Sequence, residues 1–134
     1  MLGLDTNVLA RLVLQDDAAQ TRAAQDCFMR ARDSGEALVA NLAAMLELEW
    51  VLRSKGKLTK PQILSVFNGL LETNDLQITG EKLLEHSLHI WENSNVDFAE
   101  CLFWAQYQSL GCRAMLTFDA KAARIDGVEL VAVE

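Results

Sequence analysis

Short apolar runs, each followed by a segment of helical periodicity, constrain this chain more than any other feature. The runs are Met1–Leu4, Ala37–Ala40, Leu76–Thr79, Ala114–Thr117 and Val128–Val133. Each is short enough for a buried strand and is bounded by residues that open or close helices. Thr6 and Asn7 open a helix that Leu9–Leu14 continue with apolar residues on several sides, the pattern of a buried helix. Asp16-Asp17 break it and cap a second helix from Ala18 to Arg32, which Gly35 ends. Asn41 caps a third from Ala43 to about Lys55, closed by Gly56. Thr59-x-x-Gln62 with Pro61 marks a fourth, running to about Glu72. Leu84, Leu88 and Trp91 recur at helical spacing after Gly80, and Asp97–Leu110 is a last long helix stopped by Gly111. Strands alternating with helices imply parallel β-α units. No repeat, low-complexity segment or boundary interrupts them, so residues 1–134 are expected to form one α/β domain.

At 134 residues the chain is long enough for a real core. Its N-terminus lacks the basic leader of a signal peptide, and no apolar run is long enough to cross a bilayer. Cys27, Cys101 and Cys112 stand at unrelated spacings that frame neither disulfides nor a zinc site. They are read as small core hydrophobes in a reducing, cytoplasmic setting. The net charge of −7 opposes binding to a phosphate backbone. Two arrangements would reconcile it with nucleic acid: acids concentrated where cations bind them, or a basic partner covering them.

The acids divide by whether a cation lies within one helical turn. Asp26 has Arg22 and Arg30, and Glu49 has Arg53 four residues on, the favourable order for an ion pair. Asp5, Glu47, Asp97, Glu100 and Asp119 are instead embedded in apolar sequence without such compensation. Burying an isolated carboxylate is costly, and such groups are normally paired or coordinate metals. Asp5, Asp97 and Asp119 each fall where a helix opens after a strand or loop, positions that gather at one edge of a parallel sheet and are where ligands bind. Bland readings stand beside this one. Asp5 has the position of a helix cap, Asp97-x-x-Glu100 the spacing of a capping box, and Asp119 can cap the short helix Ala120–Arg124. Glu47, mid-helix and close to alanines, caps nothing.

Converging carboxylates repel one another unless a divalent cation is present, and oxygen-only donors suit Mg²⁺ or Mn²⁺. One or two such ions, about 3.5–4 Å apart when there are two, activate water and stabilise the leaving oxygen in phosphodiester cleavage. No Ser-His-Asp or Cys-His arrangement, G-x-x-x-x-G-K loop or G-x-G-x-x-G fingerprint competes. His86 and His89, three apart on a helix that also carries Glu85 and Glu92, read as a solvated polar face rather than a metal site.

The stretches LDTNVLARL, LELEWVLR, DFAECLFWAQYQSLGC and LTFDAKAAR resemble, in this order and across essentially the whole chain, the PIN-domain ribonucleases, specifically the VapC-type toxins of toxin–antitoxin pairs. The resemblance implies a three-layer fold with a central, mostly parallel sheet flanked by helices. It implies Asp5, Glu47, Asp97, Glu100 and Asp119 as catalytic acids. Of these, Asp5, Asp97, Glu100 and Asp119 would be metal ligands, with Asn7 and Thr117 in support. Glu100 stands where the family usually has Asp, so which of Asp97 and Glu100 ligates directly stays open. Glu49, paired with Arg53, is set aside. The implied activity is that of an Mg²⁺-dependent endoribonuclease, with Mn²⁺ as a substitute, often homodimeric. Its implied partner is a small VapB-type antitoxin in a hetero-oligomer, whose C-terminal segment reaches the acids through an Arg. Arg53, Lys55, Lys57 and Lys60 form the local basic concentration that suits RNA phosphate.

Two other readings compete. In an aspartyl-nucleophile phosphatase-like hydrolase Asp5 would attack directly, but the D-x-D start of such enzymes is interrupted here by Asn7. A non-catalytic PIN-like binding module would be expected to have lost one or more of the acids, and all five are present.

Overall fold

Five strands of two or three residues each carry the architecture, and every strand pairing is parallel. The computed structural model describes residues 1–134. These divide into two compact units, Met1–Gly80 and Glu81–Glu134.

In the first unit a three-stranded sheet has the order β1-β2-β3, with β1 Leu2–Gly3, β2 Leu38–Ala40 and β3 Leu76–Ile78. Two helices separate each consecutive pair of strands: α1 Thr6–Leu14 with α2 Ala18–Ser34, then α3 Leu42–Ser54 with α4 Lys60–Glu72. The helix ends follow the local signals. Asp17 accepts from the Gln20 N–H at 2.9 Å, and Asn41 accepts from the Ala44 N–H at 2.8 Å. Thr59 and Gln62 close a full capping box. Gly35 ends α2 at φ +71, a left-handed conformation that glycine adopts without a Cβ penalty. Leu38, Ala40, Met45, Leu48, Leu52, Ile63 and Phe67 are all buried.

Three expectations for this unit are corrected. Helix α1 is not buried all round: Leu9 and Ala10 are covered, while Asn7 is exposed. Asp26 forms no ion pair, and Arg30 turns to the Cys27 sulfur instead. Cys27 itself is exposed, not core. Apart from Arg53, which pairs with Glu49 within α3, the cations that pair reach beyond their own helix. Arg32 bridges to Asp75 at 3.1 Å, and Arg11 at the end of α1 bridges to Asp16 at 2.6 Å. The Arg11 hydrogen bond holds the Asp16 carboxyl below its ordinary range.

In the second unit α5 Glu81–Glu92 and α6 Phe98–Ser109 pack together as a helical pair. β4 Met115–Thr117, a single 3₁₀ turn Ala122–Arg124 and β5 Val128–Leu130 follow, with β4 and β5 paired. Trp91 and Phe98 meet edge-on, centroids 5.3 Å apart at 64°, a favoured aromatic geometry. Cys101 is buried as expected, whereas Cys112 is exposed. Trp104 is buried and donates through Nε1 to the Asp126 carbonyl at 3.1 Å. Its ring lies so close to the backbone at Gly127 that a Cβ there would stand 2.2 Å from Cζ2, and Gly127 has φ +95. Gly127→Ala should therefore lower unfolding stability by roughly 1–3 kcal/mol through overpacking, measured by urea denaturation. A variant as stable as the parent would mean that the Trp104 ring has room to move.

Candidate active site

Strand register places the first acid. The β1–β2 ladder aligns Leu2 with Leu38 and Gly3 with Val39, and the Leu4 N–H extends it to the Val39 carbonyl at 2.8 Å. Carried two residues further, the register sets Asp5 beside Asn41 at the carboxyl edge of the sheet. Asn41 caps α3, and one turn into that helix come Ala43, Ala44 and then Glu47. Leu4, Asp5, Thr6, Asn41, Ala43, Ala44 and Glu47 line one open cavity of about 310 Å³. Two of the five expected acids thus share a cavity at the edge where open α/β sheets bind ligands.

The capping alternative for Asp5 fails on geometry. Asp5 occupies the N-cap position of α1 with an extended backbone, yet its carboxylate accepts no hydrogen bond from the helix. The lack of a partner alone would not distinguish it, since surface acids such as Asp26 and Glu85 also lack one. Position distinguishes it: an uncommitted carboxylate at a helix N-terminus, facing the same cavity as Glu47.

Glu47 and Glu49, two residues apart, point to different surroundings. Glu47 is exposed at the cavity. Glu49 is buried, with 5% of its side chain accessible, and accepts from Arg53 Nε at 2.7 Å and Nη2 at 3.4 Å. That ion pair makes Glu49 a structural acid, as its spacing to Arg53 indicated.

In the second unit Asp97 holds the N-cap position of α6, again without a side-chain cap, so no capping box forms with Glu100. Glu100, half-buried, lies in the first turn of the same helix. Asp119 follows the end of β4. Its own N–H donates to Thr117 Oγ1 at 3.0 Å, and its Oδ1 accepts from the Lys121 N–H at 2.9 Å. Asp119 therefore does cap the turn after it, and Thr117 fixes the backbone that carries it.

Sequence reasoning missed Thr6 and Asn41. Thr6 is buried, its hydroxyl turned to the Ala44 carbonyl at 3.5 Å, and joins the wall of the Asp5 cavity. Asn41 was read only as a cap; its place after a neighbouring parallel strand was the signal that it shares Asp5's edge. Asn7, expected in support of Asp5, lines a different depression with Val8, Arg11, Gln20 and Cys27. His86 shares a 2.8 Å hydrogen bond with Gln108, in keeping with a polar surface.

The donors around the Asp5 cavity are carboxylate, amide and hydroxyl oxygens, a set that suits a hard divalent cation. No three His, Cys, Asp or Glu side chains are grouped closely enough to form a cage. Mg²⁺ does not require one, because it keeps several waters and is usually held by one or two carboxylates together with substrate phosphates.

Parallel sheets between helices, with carboxylates at the strand ends, define an α/β protein with a candidate acidic active site. The chain belongs to the PIN-domain family, whose sequence profile matches residues 3–128 and so runs through both units. The PIN domain is a nuclease fold whose members are typically metal-dependent and commonly bind RNA. No curated protein and no solved structure matches the chain significantly. No helix is long and apolar enough to cross a membrane.

The contrast between the two glutamates is testable without any assay of activity. Glu49→Ala should cost roughly 1–3 kcal/mol, because it removes a charge-assisted hydrogen bond at a buried position. Glu47→Ala, at the exposed cavity wall, should stay within about 0.5 kcal/mol of the parent. Equal losses in chemical denaturation would mean that the two positions do not differ in structural role.

Proposed function

We propose that the protein is a divalent-metal-dependent endoribonuclease of the VapC type. In this reading Asp5, Glu47, Asp97, Glu100 and Asp119 serve one reaction, and residues 1–134 act as a single PIN domain. The cavity that presents Asp5 and Glu47 together, with Asp5 free of any capping bond, is the observation that most supports it. Family membership across residues 3–128 supports assigning the remaining acids to the same chemistry.

Mg²⁺, or Mn²⁺ in its place, would supply Lewis acidity and an activated water at the scissile phosphate. The chain's own part is to hold and orient. Asp5 and Glu47 offer carboxylate oxygens to one cavity, and Asn41, held by the Ala44 N–H, has a second carbonyl lone pair facing its surroundings. Asp97, Glu100 and Asp119 are proposed as metal ligands with Asp5, either Asp97 or Glu100 ligating directly. Thr117 positions Asp119 through the backbone, and Asn7, although it lines the neighbouring depression, is proposed in support of Asp5. Lys55, Lys57 and Lys60, with Arg53 also bound to Glu49, are the proposed phosphate contacts.

A VapB-type antitoxin with a basic segment, and a homodimer within a toxin–antitoxin hetero-oligomer, complete the proposal. Their support is the resemblance of the four sequence stretches and the acidity of the chain, which suits a cationic inhibitor. A cytoplasmic setting accords with the free thiols.

Purified protein should cut RNA in Mg²⁺ or Mn²⁺ and stop on chelation. Asp5→Asn should reduce cleavage by about 10³-fold or more, a loss on the scale of removing a principal electrostatic group from an active site. The folded domain should be unchanged or slightly more stable, since a repelling charge is removed. Glu47→Gln should be far more damaging than Glu49→Gln. Full activity in Asp5→Asn would overturn the metal-site assignment. RNA binding with no cleavage in either metal would favour the non-catalytic module.

A further inference from the structure

Trp50 is left unused by the proposed function, yet it is the tryptophan that faces water. It is 51% exposed, against 5% for Trp91 and 3% for Trp104. Indoles bury large areas and are seldom left half in solvent without a partner. Its exposure follows from the register of α3. Met45, Leu48, Glu49 and Leu52 form the buried face, while Ala43, Glu47, Trp50 and Ser54 recur at three- and four-residue spacing along the other. Trp50 therefore stands one turn beyond the glutamate that lines the Asp5 cavity. The Lys55 ammonium lies 6.0 Å from the Trp50 ring centroid, at the outer limit of a cation–π contact, where it is easily drawn to an anion. Lys57 follows in a left-handed conformation at φ +57, and is exposed.

We propose that Trp50 is a stacking platform for an unpaired base of a single-stranded RNA, with Lys55 and Lys57 meeting the adjoining phosphates. The proposal rests on the ribonuclease reading above and deepens it, adding a substrate-positioning residue beside the candidate acids. An apolar protein partner would cover the indole but strip water from Lys55 without an anion in return. A nucleotide satisfies both groups, its base on the ring and its phosphate on the ammonium. The strand must be single, because the faces of bases within a duplex are already stacked.

The test uses the full chain carrying Asp5→Asn, with EDTA present so that RNA stays intact. Tryptophan emission is followed while a ten-nucleotide single-stranded RNA, a blunt RNA duplex, linear polyphosphate or a basic peptide is added. The single strand should quench the exposed indole, and the other three should not. Trp50→Ala should weaken binding of a dye-labelled single strand, read from the label's fluorescence anisotropy, about tenfold or more. Trp50→Phe should recover most of the affinity, which also controls for misfolding. Unchanged affinity in Trp50→Ala, or equal quenching by polyphosphate, would overturn the platform. Quenching by the peptide but not by RNA would assign the face to a protein and overturn it as well. The two readings fail separately. Cleavage by the unsubstituted protein with an indifferent Trp50 removes the platform alone. Quenching and a Trp50-dependent affinity without cleavage in Mg²⁺ or Mn²⁺ keep the platform and remove the nuclease.

Discussion

The register of β1 on β2 is the constraint on which the Asp5 cavity depends. Strand β1 is two residues long, so very few ladder hydrogen bonds, with the Leu4 N–H to Val39 at their end, decide where Asp5 stands. A slip of one residue would move Asp5 from Asn41 and reverse which side chains of β2 enter the core. Such short pairing is held by burial more than by backbone bonds. Leu38 and Ala40 are each 1% exposed, and their alternation with the more open Val39 leaves one register that covers them. At the opposite edge the Met1 ammonium reaches Glu36 at 3.2 Å, an exposed contact that adds little.

Once that register is set, Asn41 governs the other wall. Its cap fixes the first residue of α3, and with it the helical phase of everything downstream. In that phase Leu48 and Leu52 enter the core, Glu49 is carried in with them, and Glu47 and Trp50 are left outside. A buried carboxylate is tolerable only with a partner, and Arg53, one turn on, supplies it. The same helix thus carries an acid that serves the fold and an acid left open at the Asp5 cavity, separated by the phase that one cap imposes.

Helix positions were legible because their signals are local. The Thr59 capping box, the Asp17 and Asn41 caps and the Gly35 and Gly111 stops each act within a few residues, and each appears where the sequence placed it. Strand extents were less legible: Val128–Val133 reads as one run, but the strand ends at Leu130, with one further ladder bond from the Val131 N–H to the Thr117 carbonyl at 2.7 Å. Side-chain surroundings depend on contacts far apart in sequence and were the least legible. Nothing near Cys27 or Cys112 shows that both face solvent. Arg32 finds Asp75, forty-three residues on, while Asp26 with two arginines at ideal spacing finds neither, because exposed pairs of that kind are worth only a few tenths of a kcal/mol. Glu47 and Glu49 were separable by sequence for one reason: their cations, or lack of them, lie within a helical turn. Thr6 was hidden behind Asp5, since a buried threonine beside a carboxylate has no pattern of its own.

The charge of the chain looks at odds with an RNA substrate until distance is considered. Five of the acids that make up the −7 are the candidate catalytic set, so neutralising them would leave −2. Along α3 the interval from Glu47 to Lys55 is eight residues, about 12 Å at the helical rise. Screening in physiological salt has a length of about 8 Å, so a phosphate at Lys55 is largely shielded from the carboxylates, whereas a phosphate at the Asp5 cavity is not. The chain can therefore attract a polyanion at the end of α3 and still repel it at the acids. That repulsion must be offset by cations, and which ones arrive decides the outcome. A metal ion would draw the scissile phosphate in, while a basic peptide would occupy its place. On the proposed reading, one acidic cavity beside one basic turn would let a metal ion and a basic peptide compete for the same carboxylates.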